Sequence, residues 1–196
     1  MACWAKTWRT LVVLCMALWA AAGHAGDHIS KRAYFEDPSG SLQLEQVRAA
    51  SWQSYSGVLS RGYGASVIWL RLRIEPGPST PNGQLVLRIR PSYLDDLQLY
   101  DPADPARPVH ALGDSHPQHQ GVFSSLNFNF TIAQMDQARD VWLRLSTTST
   151  RIIHVEALDI EEAIQADRRQ ELFYSLYLAA LTLFLVWGTA QWLLSR

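Results

Sequence analysis

Ser66-Val67-Ile68-Trp69-Leu70-Arg71-Leu72-Arg73-Ile74 is the stretch whose reading decides the fold. Successive side chains of an extended chain alternate faces, so Ile68, Leu70, Leu72 and Ile74 fall on one side and Val67, Trp69, Arg71 and Arg73 on the other. The pattern is that of a half-buried strand, and its centre recurs. Trp142-Leu143-Arg144-Leu145 repeats Trp69-Leu70-Arg71-Leu72, and Leu85-Val86-Leu87-Arg88-Ile89-Arg90 keeps the apolar/Arg alternation without the Trp. Three strands of one pattern are expected to form one antiparallel sheet, apolar inside, with Arg71, Arg73, Arg88, Arg90 and Arg144 outside. Beside Trp69 and Trp142 these arginines are the candidate ligand-binding residues. Guanidinium groups clamp carboxylate or sulfate groups of a sugar, and indoles offer stacking platforms. The plainer reading is a solvated sheet whose arginines pair with acids on neighbouring strands.

Working outward, further short extended segments are expected at 52–55, 58–59, 94–100, 109–112, 123–131, 141–146 and 152–158, with turn-rich stretches between them. Residues 26–32 are polar and read as loose. Ser41 is the expected cap of a short helix reaching Gln46 or Val47. About eight strands at regular spacing, without interleaved helices, predict an all-β, jelly-roll-like antiparallel sandwich.

Two apolar runs bracket this body. Lys6 and Arg9 precede the run from Leu11 to Ala22, and Gly23-His24-Ala25 has the small residues of a signal-peptidase site, so 1–25 reads as a signal peptide. Leu172 to Leu194 carries no charge and exceeds the roughly 20 residues that span a bilayer. Aromatics stand toward both ends, Tyr174 and Tyr177 at one and Trp187 and Trp192 at the other. The expected organisation is a signal peptide (1–25), a periplasmic sandwich (26–159), a juxtamembrane helix (160–171) and one transmembrane helix (172–194), anchored in a bacterial inner membrane. Arg168 and Arg169 on the outer flank run against the usual excess of positive charge inside. Both cysteines, Cys3 and Cys15, lie in the leader, so the exported body folds without disulfides. The chain has 17 basic and 18 acidic residues; without Lys6 and Arg9 the balance is 15 against 18. No basic excess asks for nucleic acid.

Catalytic chemistry finds little purchase. There is no Gly-x-Ser-x-Gly, no His-Glu-x-x-His and no thiol in the exported body. Asp95 and Asp96 are adjacent, so in a strand they point to opposite faces and cannot flank one bond. His110, Asp114, His116 and His119 are close enough to suggest zinc, but no cysteine joins them, and solvated loop histidines are the simpler reading. Neither a metal nor any other cofactor is expected.

Tyr34-Phe35-Glu36-Asp37-Pro38-Ser39-Gly40-Ser41-Leu42, Leu44-Glu45-Gln46-Val47, Gly62-Tyr63, Trp69-Leu70-Arg71-Leu72, Leu94-Asp95-Asp96-Leu97-Gln98-Leu99-Tyr100, Gly113-Asp114 and Trp142-Leu143-Arg144-Leu145 follow one another in an order with a meaning. That order resembles the type 2 extracellular domain of bacterial seven-transmembrane receptors with diverse intracellular signalling modules. The resemblance covers nearly all of the exported part. It implies a jelly-roll sensor of carbohydrate-like ligands, joined in the family to a seven-helix membrane module and a signalling output. The sequence ends at Arg196, after one membrane helix, so no signalling catalysis is expected in this chain. The reading is a membrane-anchored, non-enzymatic sensor of a small molecule or carbohydrate, with homodimerisation open. Its rival is a structural or interaction module docking a partner or a second copy; a glycan-cleaving enzyme would need facing carboxylates.

Overall fold

The computed structural model of the chain describes residues 26–76, 83–104, 109–114, 116 and 125–195. The expected leader, the loop holding His119 and Arg196 lie outside them. Ten strands and two helices are described: β1 (Ile29–Asp37), α1 (Leu44–Arg48), β2 (Gln53–Ser54), β3 (Leu59–Ser60), β4 (Val67–Ile74), β5 (Gln84–Arg90), β6 (Asp96–Tyr100), β7 (His110–Leu112), β8 (Phe128–Ala133), β9 (Arg139–Ser146), β10 (Ile152–Asp159) and α2 (Ile160–Leu194).

The strands form two antiparallel sheets, β2-β1-β4-β9-β6-β7 and β3-β10-β5-β8. Between them lies the main core. It takes the expected inner half of β4, Ile68, Leu70, Leu72 and Ile74, together with Leu87 and Ile89 of β5, Leu143 of β9 and Val155 of β10. The all-β sandwich and the long apolar helix are as expected; the single arginine sheet is not. The β4 and β9 strands pair, but β5 belongs to the other sheet. An alternating strand can face a core from either side, so pattern alone does not assign it to a sheet. The two Trp-x-Arg repeats meet antiparallel, with Trp69 opposite Arg144 and Arg71 opposite Trp142.

Two smaller clusters cap the outer faces. On the six-stranded sheet Val47, Leu42, Leu44 and Trp52 close over Val67 and Trp69. The turn leading there is held by Asp37, whose carboxylate accepts hydrogen bonds from the Ser39 and Leu42 backbone N–H groups at 2.9 and 3.0 Å. The α1 helix starts two residues later than expected, with Gln43 and Gln46 forming the capping box in place of Ser41. On the four-stranded sheet the first turns of α2 settle Ala163 and Ala166 against Val86 and Leu158. Residues 29–32, expected to be loose, are instead the start of β1. Asp27 accepts from the backbone N–H groups of Ile29 and Ala157, which fastens this end of the chain to β10.

Candidate functional site

The cross-strand rows of the six-stranded sheet decide what its outer face can offer. Trp69 is fully buried, its ring centroid 5.5 Å from that of Tyr100. Trp142 is half-buried, and the Arg48 guanidinium lies 4.8 Å from its ring centroid. The Trp69 indole therefore has no exposed face for stacking, and the Trp142 ring shares its face with Arg48. α1 supplies an apolar cover that the strand pattern does not announce. Arg144 is also engaged: it donates to Asp96 at 3.2 Å and to the Gly40 carbonyl at 3.1 Å, tying the 37–40 turn to β9.

Farther along the same face the rows open into a depression of about 520 Å³ bordered by Lys31, Arg32, Ser54, Tyr55, Arg71, Arg73 and Asp140. Its floor follows from the sequence. Ala33 stands opposite Arg71, and a methyl side chain leaves space between the longer ones. A bulge in β1 between Ile29 and Lys31 sets Ser30 at the rim. Arg73 donates to Asp140 at 3.2 Å, and Arg32 pairs with Asp27. The Arg71 guanidinium lies 5.1 Å from the Trp52 ring centroid, a cation–π contact that holds it without neutralising it. Neither Arg71 nor Lys31 has a carboxylate partner within 4.0 Å among the described residues. Burial pushes the Tyr55 phenol up to about 12, against the opposing influence of Arg32, so it is a neutral hydroxyl near pH 7. The chemistry on offer is anion binding: two uncompensated cations with the Ser54 hydroxyl beside them, and a single carboxylate already paired, while the Tyr55 ring packs toward the inter-sheet core.

Arg88 and Arg90, expected on that face, lie on the other sheet. Arg88 is 3% exposed and its guanidinium is fully used. It donates to Asp167 of α2 at 2.6 Å, to Glu156 at 3.0 Å and to Gln170 at 2.5 Å. Asp167, equally buried, also accepts from Asn127 at 2.9 Å and from Ser125. Arg90 donates to Glu156 at 3.1 Å and meets His154 Nδ1 at 2.7 Å. Burial holds the His154 pKa below its ordinary 6.5; Glu156 pulls it up, while Arg90 and Arg32 push it down. A neutral ring then accepts the Arg90 hydrogen bond. These residues form a polar clamp between sheet and helix.

The histidine group dissolves into separate pairs: His110 with Asp104 at 3.2 Å and His116 with Asp96 at 2.6 Å. Asp95 and Asp96 have unrelated partners. Hydrogen bonds from the backbone and side chain of Thr148, then from Thr147, hold Asp95 below the usual carboxylate range.

Reading the sequence missed Lys31, Tyr55 and Trp52 at the depression and Asp167, Gln170, Ser125 and Asn127 at the clamp. A signal for the last group was present. Ala163, Ala166, Asp167 and Gln170 share one helical stripe, and an acid on an otherwise packing stripe calls for a buried cation.

The α2 helix runs unbroken for 35 residues; its most apolar window has mean hydropathy 1.7 and none of it is buried, so it is long and apolar enough to cross a membrane. No curated protein matches the chain. The family described as 7TMR-DISM extracellular 2 matches residues 30–159, ending where β10 gives way to α2. With two thirds of its length inside that match, the chain belongs to the 7TMR-DISM extracellular 2 family, the extracellular sensor-type domain of 7TMR-DISM receptors, here followed by a membrane-spanning helix.

Proposed function

We propose that this chain is the non-catalytic, ligand-sensing part of a bacterial signalling receptor, exported by its N-terminal leader and held in the inner membrane with residues 26–159 in the periplasm. Its ligand is a small acidic carbohydrate, a uronate or a sulfated sugar. The observation that carries this reading is the depression on the six-stranded sheet, where Lys31 and Arg71 bring positive charge with no carboxylate within 4.0 Å of either among the described residues. A bidentate guanidinium contact suits a planar carboxylate or a sulfate, and Ser54 offers a hydroxyl group for a sugar.

A short route leads from this depression to the membrane helix. Arg32 borders the depression and pairs with Asp27. Asp27 accepts from the Ala157 N–H, and His28 lies 3.5 Å from the carboxylate of Asp159, the residue on which α2 begins. An anion that shifts β1 at the depression therefore disturbs the Arg32–Asp27 pair on its inner side and loosens the last residues of β10 where the helix starts. Because α2 is clamped to the same sheet by Arg88, a shift of β10 is passed on as helix movement rather than absorbed in a flexible joint.

The test is calorimetric titration of the purified chain with galacturonic acid oligomers and with neutral oligomers of the same length. The acidic ligand should bind, and Lys31→Ala with Arg71→Ala should abolish binding in a folded protein. Equal binding of the neutral oligomer, or an unaffected double variant, removes the depression from consideration. The exposed side chains of Val58 and Tyr63 favour a second reading, an interaction module docking a partner or a second copy. Self-association lost on Tyr63→Ser, with no sugar bound, would select it.

A further inference from the structure

The groove between α2 and the four-stranded sheet has a volume of about 700 Å³ and is bordered by Arg90, Leu126, Glu156, Arg169, Phe173 and Tyr174. It is separate from the depression on the other sheet. On the helix Ala166, Arg169, Gln170, Phe173 and Tyr174 form one stripe, spaced by three and four residues, that faces the sheet. Phe173 and Tyr174 lie just inside the charge-free run that starts at Leu172. The rim of the domain, at Leu126 and Pro91, therefore stands level with the first turn of the segment that enters the bilayer, at about 1.5 Å of rise per residue. Phospholipid headgroups must meet the domain at this height. We infer that the groove is a headgroup site for an anionic glycerophospholipid, with the phosphate between Arg90 and Arg169 and the start of an acyl chain against Leu126 and Phe173.

The charges favour this occupant. Arg88 is consumed by Asp167 and Glu156. Arg90 shares that same Glu156, so its charge is only partly met. Arg169 is exposed, and no ion pair joins it to any other described residue. Leu126 and Phe173 are 49% and 60% exposed, large apolar side chains whose exposure is unfavourable in water and suited to the boundary of a membrane. A phosphate ligand also gives a reason for basic residues on the outer flank of a span, where the usual bias is against them. The inference rests on α2 crossing the bilayer and not on any sugar bound at the other sheet.

The experiment is native mass spectrometry of the full chain released from detergent, supplied with phosphatidylglycerol or with phosphatidylcholine at matched concentration. Phosphatidylglycerol should be retained in preference. Arg169→Gln, which breaks no hydrogen bond or ion pair among the described residues, should lower its retention roughly tenfold, the usual scale for one hydrogen bond to a charged group. Arg90→Gln should add to the loss, and Arg168→Gln, just off the stripe, should leave retention unchanged. Equal loss from Arg168→Gln and Arg169→Gln, equal retention of the two lipids, displacement of the lipid by inorganic phosphate, or a second copy of the chain filling the groove would each overturn the proposal.

Discussion

Replacing Arg88 with Ala should detach the base of α2 while leaving the sandwich folded. The side chains of Arg88 and Asp167 are 3% and 4% exposed, so removing the guanidinium leaves Asp167 as a buried charge with Asn127 and Ser125 as its remaining donors among the described residues. Breaking one side of a buried pair costs about 3–5 kcal/mol. The apolar seam that remains is small: Val86, Leu158 and Ala163, with Ile160 and Ala166 at its edges. Full burial of a Val or Leu contributes about 1.5–3 kcal/mol, so the lost term is comparable with the whole seam. The main core of the sandwich contains none of these residues. Hydrogen exchange of the full chain in lipid nanodiscs reads this directly. Amides of 160–171 should exchange faster by about two to four orders of magnitude, at 1.4 kcal/mol per factor of ten, while those of β4 and β9 keep their protection. Asp167→Ala should cost less, because Glu156 and Gln170 still hold Arg88. Arg88→Met with Asp167→Leu should restore most of the protection, as apolar replacement of a buried pair often does. Unchanged exchange in Arg88→Ala, or a double variant no better than the single one, would refute the clamp.

Trp69→Ala should destabilise the domain by about 3–5 kcal/mol, seen as a fall of about 10–15 °C in melting temperature. Trp69→Phe should lose far less, because the indole N–H it removes is buried without a hydrogen-bond partner among the described residues. Gly113 has φ 128°, and a Cβ there would lie 2.2 Å from the Asp95 carbonyl oxygen, so Gly113→Ala should lower thermal stability by more than a typical surface change. The depressed pKa of His154 means that the unfolded chain takes up its proton first. Stability should therefore fall as pH drops through 6.5 and continue to fall until the folded ring titrates; urea melts from about pH 7.5 to 5 should lose this slope in His154→Gln. Asp95 works in a lower window, its contribution being present above 3.8 and lost as pH falls through its depressed folded value.

The alternation in 66–74 and 141–146 gave the two central strands and their buried faces because a period of two, once set by a core, leaves little freedom. What it did not give was the sheet to which β5 belongs, since Leu87 and Ile89 would serve a core from either side. The sequence also presented Trp69 and Trp142 as surface groups. Their burial is set by α1 and by Arg48, which reach them through tertiary packing that no local pattern encodes. The start of β1 escaped notice because 26–32 is polar; its order comes from Asp27 pairing across to β10, a contact 130 residues apart in sequence. Of the seven expected site residues, Arg71 and Arg73 meet at the depression, Arg144 and the two tryptophans hold the fold, and Arg88 and Arg90 serve the helix clamp.

The central claim is that sandwich and membrane helix move as one body. Spin labels at Ser60 on β3 and Ser195 at the far end of α2, in a chain with Cys3 and Cys15 replaced by Ser and held in nanodiscs, measure it by double electron–electron resonance. The account predicts one narrow distance distribution that broadens on Arg88→Ala. A distribution already broad in the unaltered chain would contradict it.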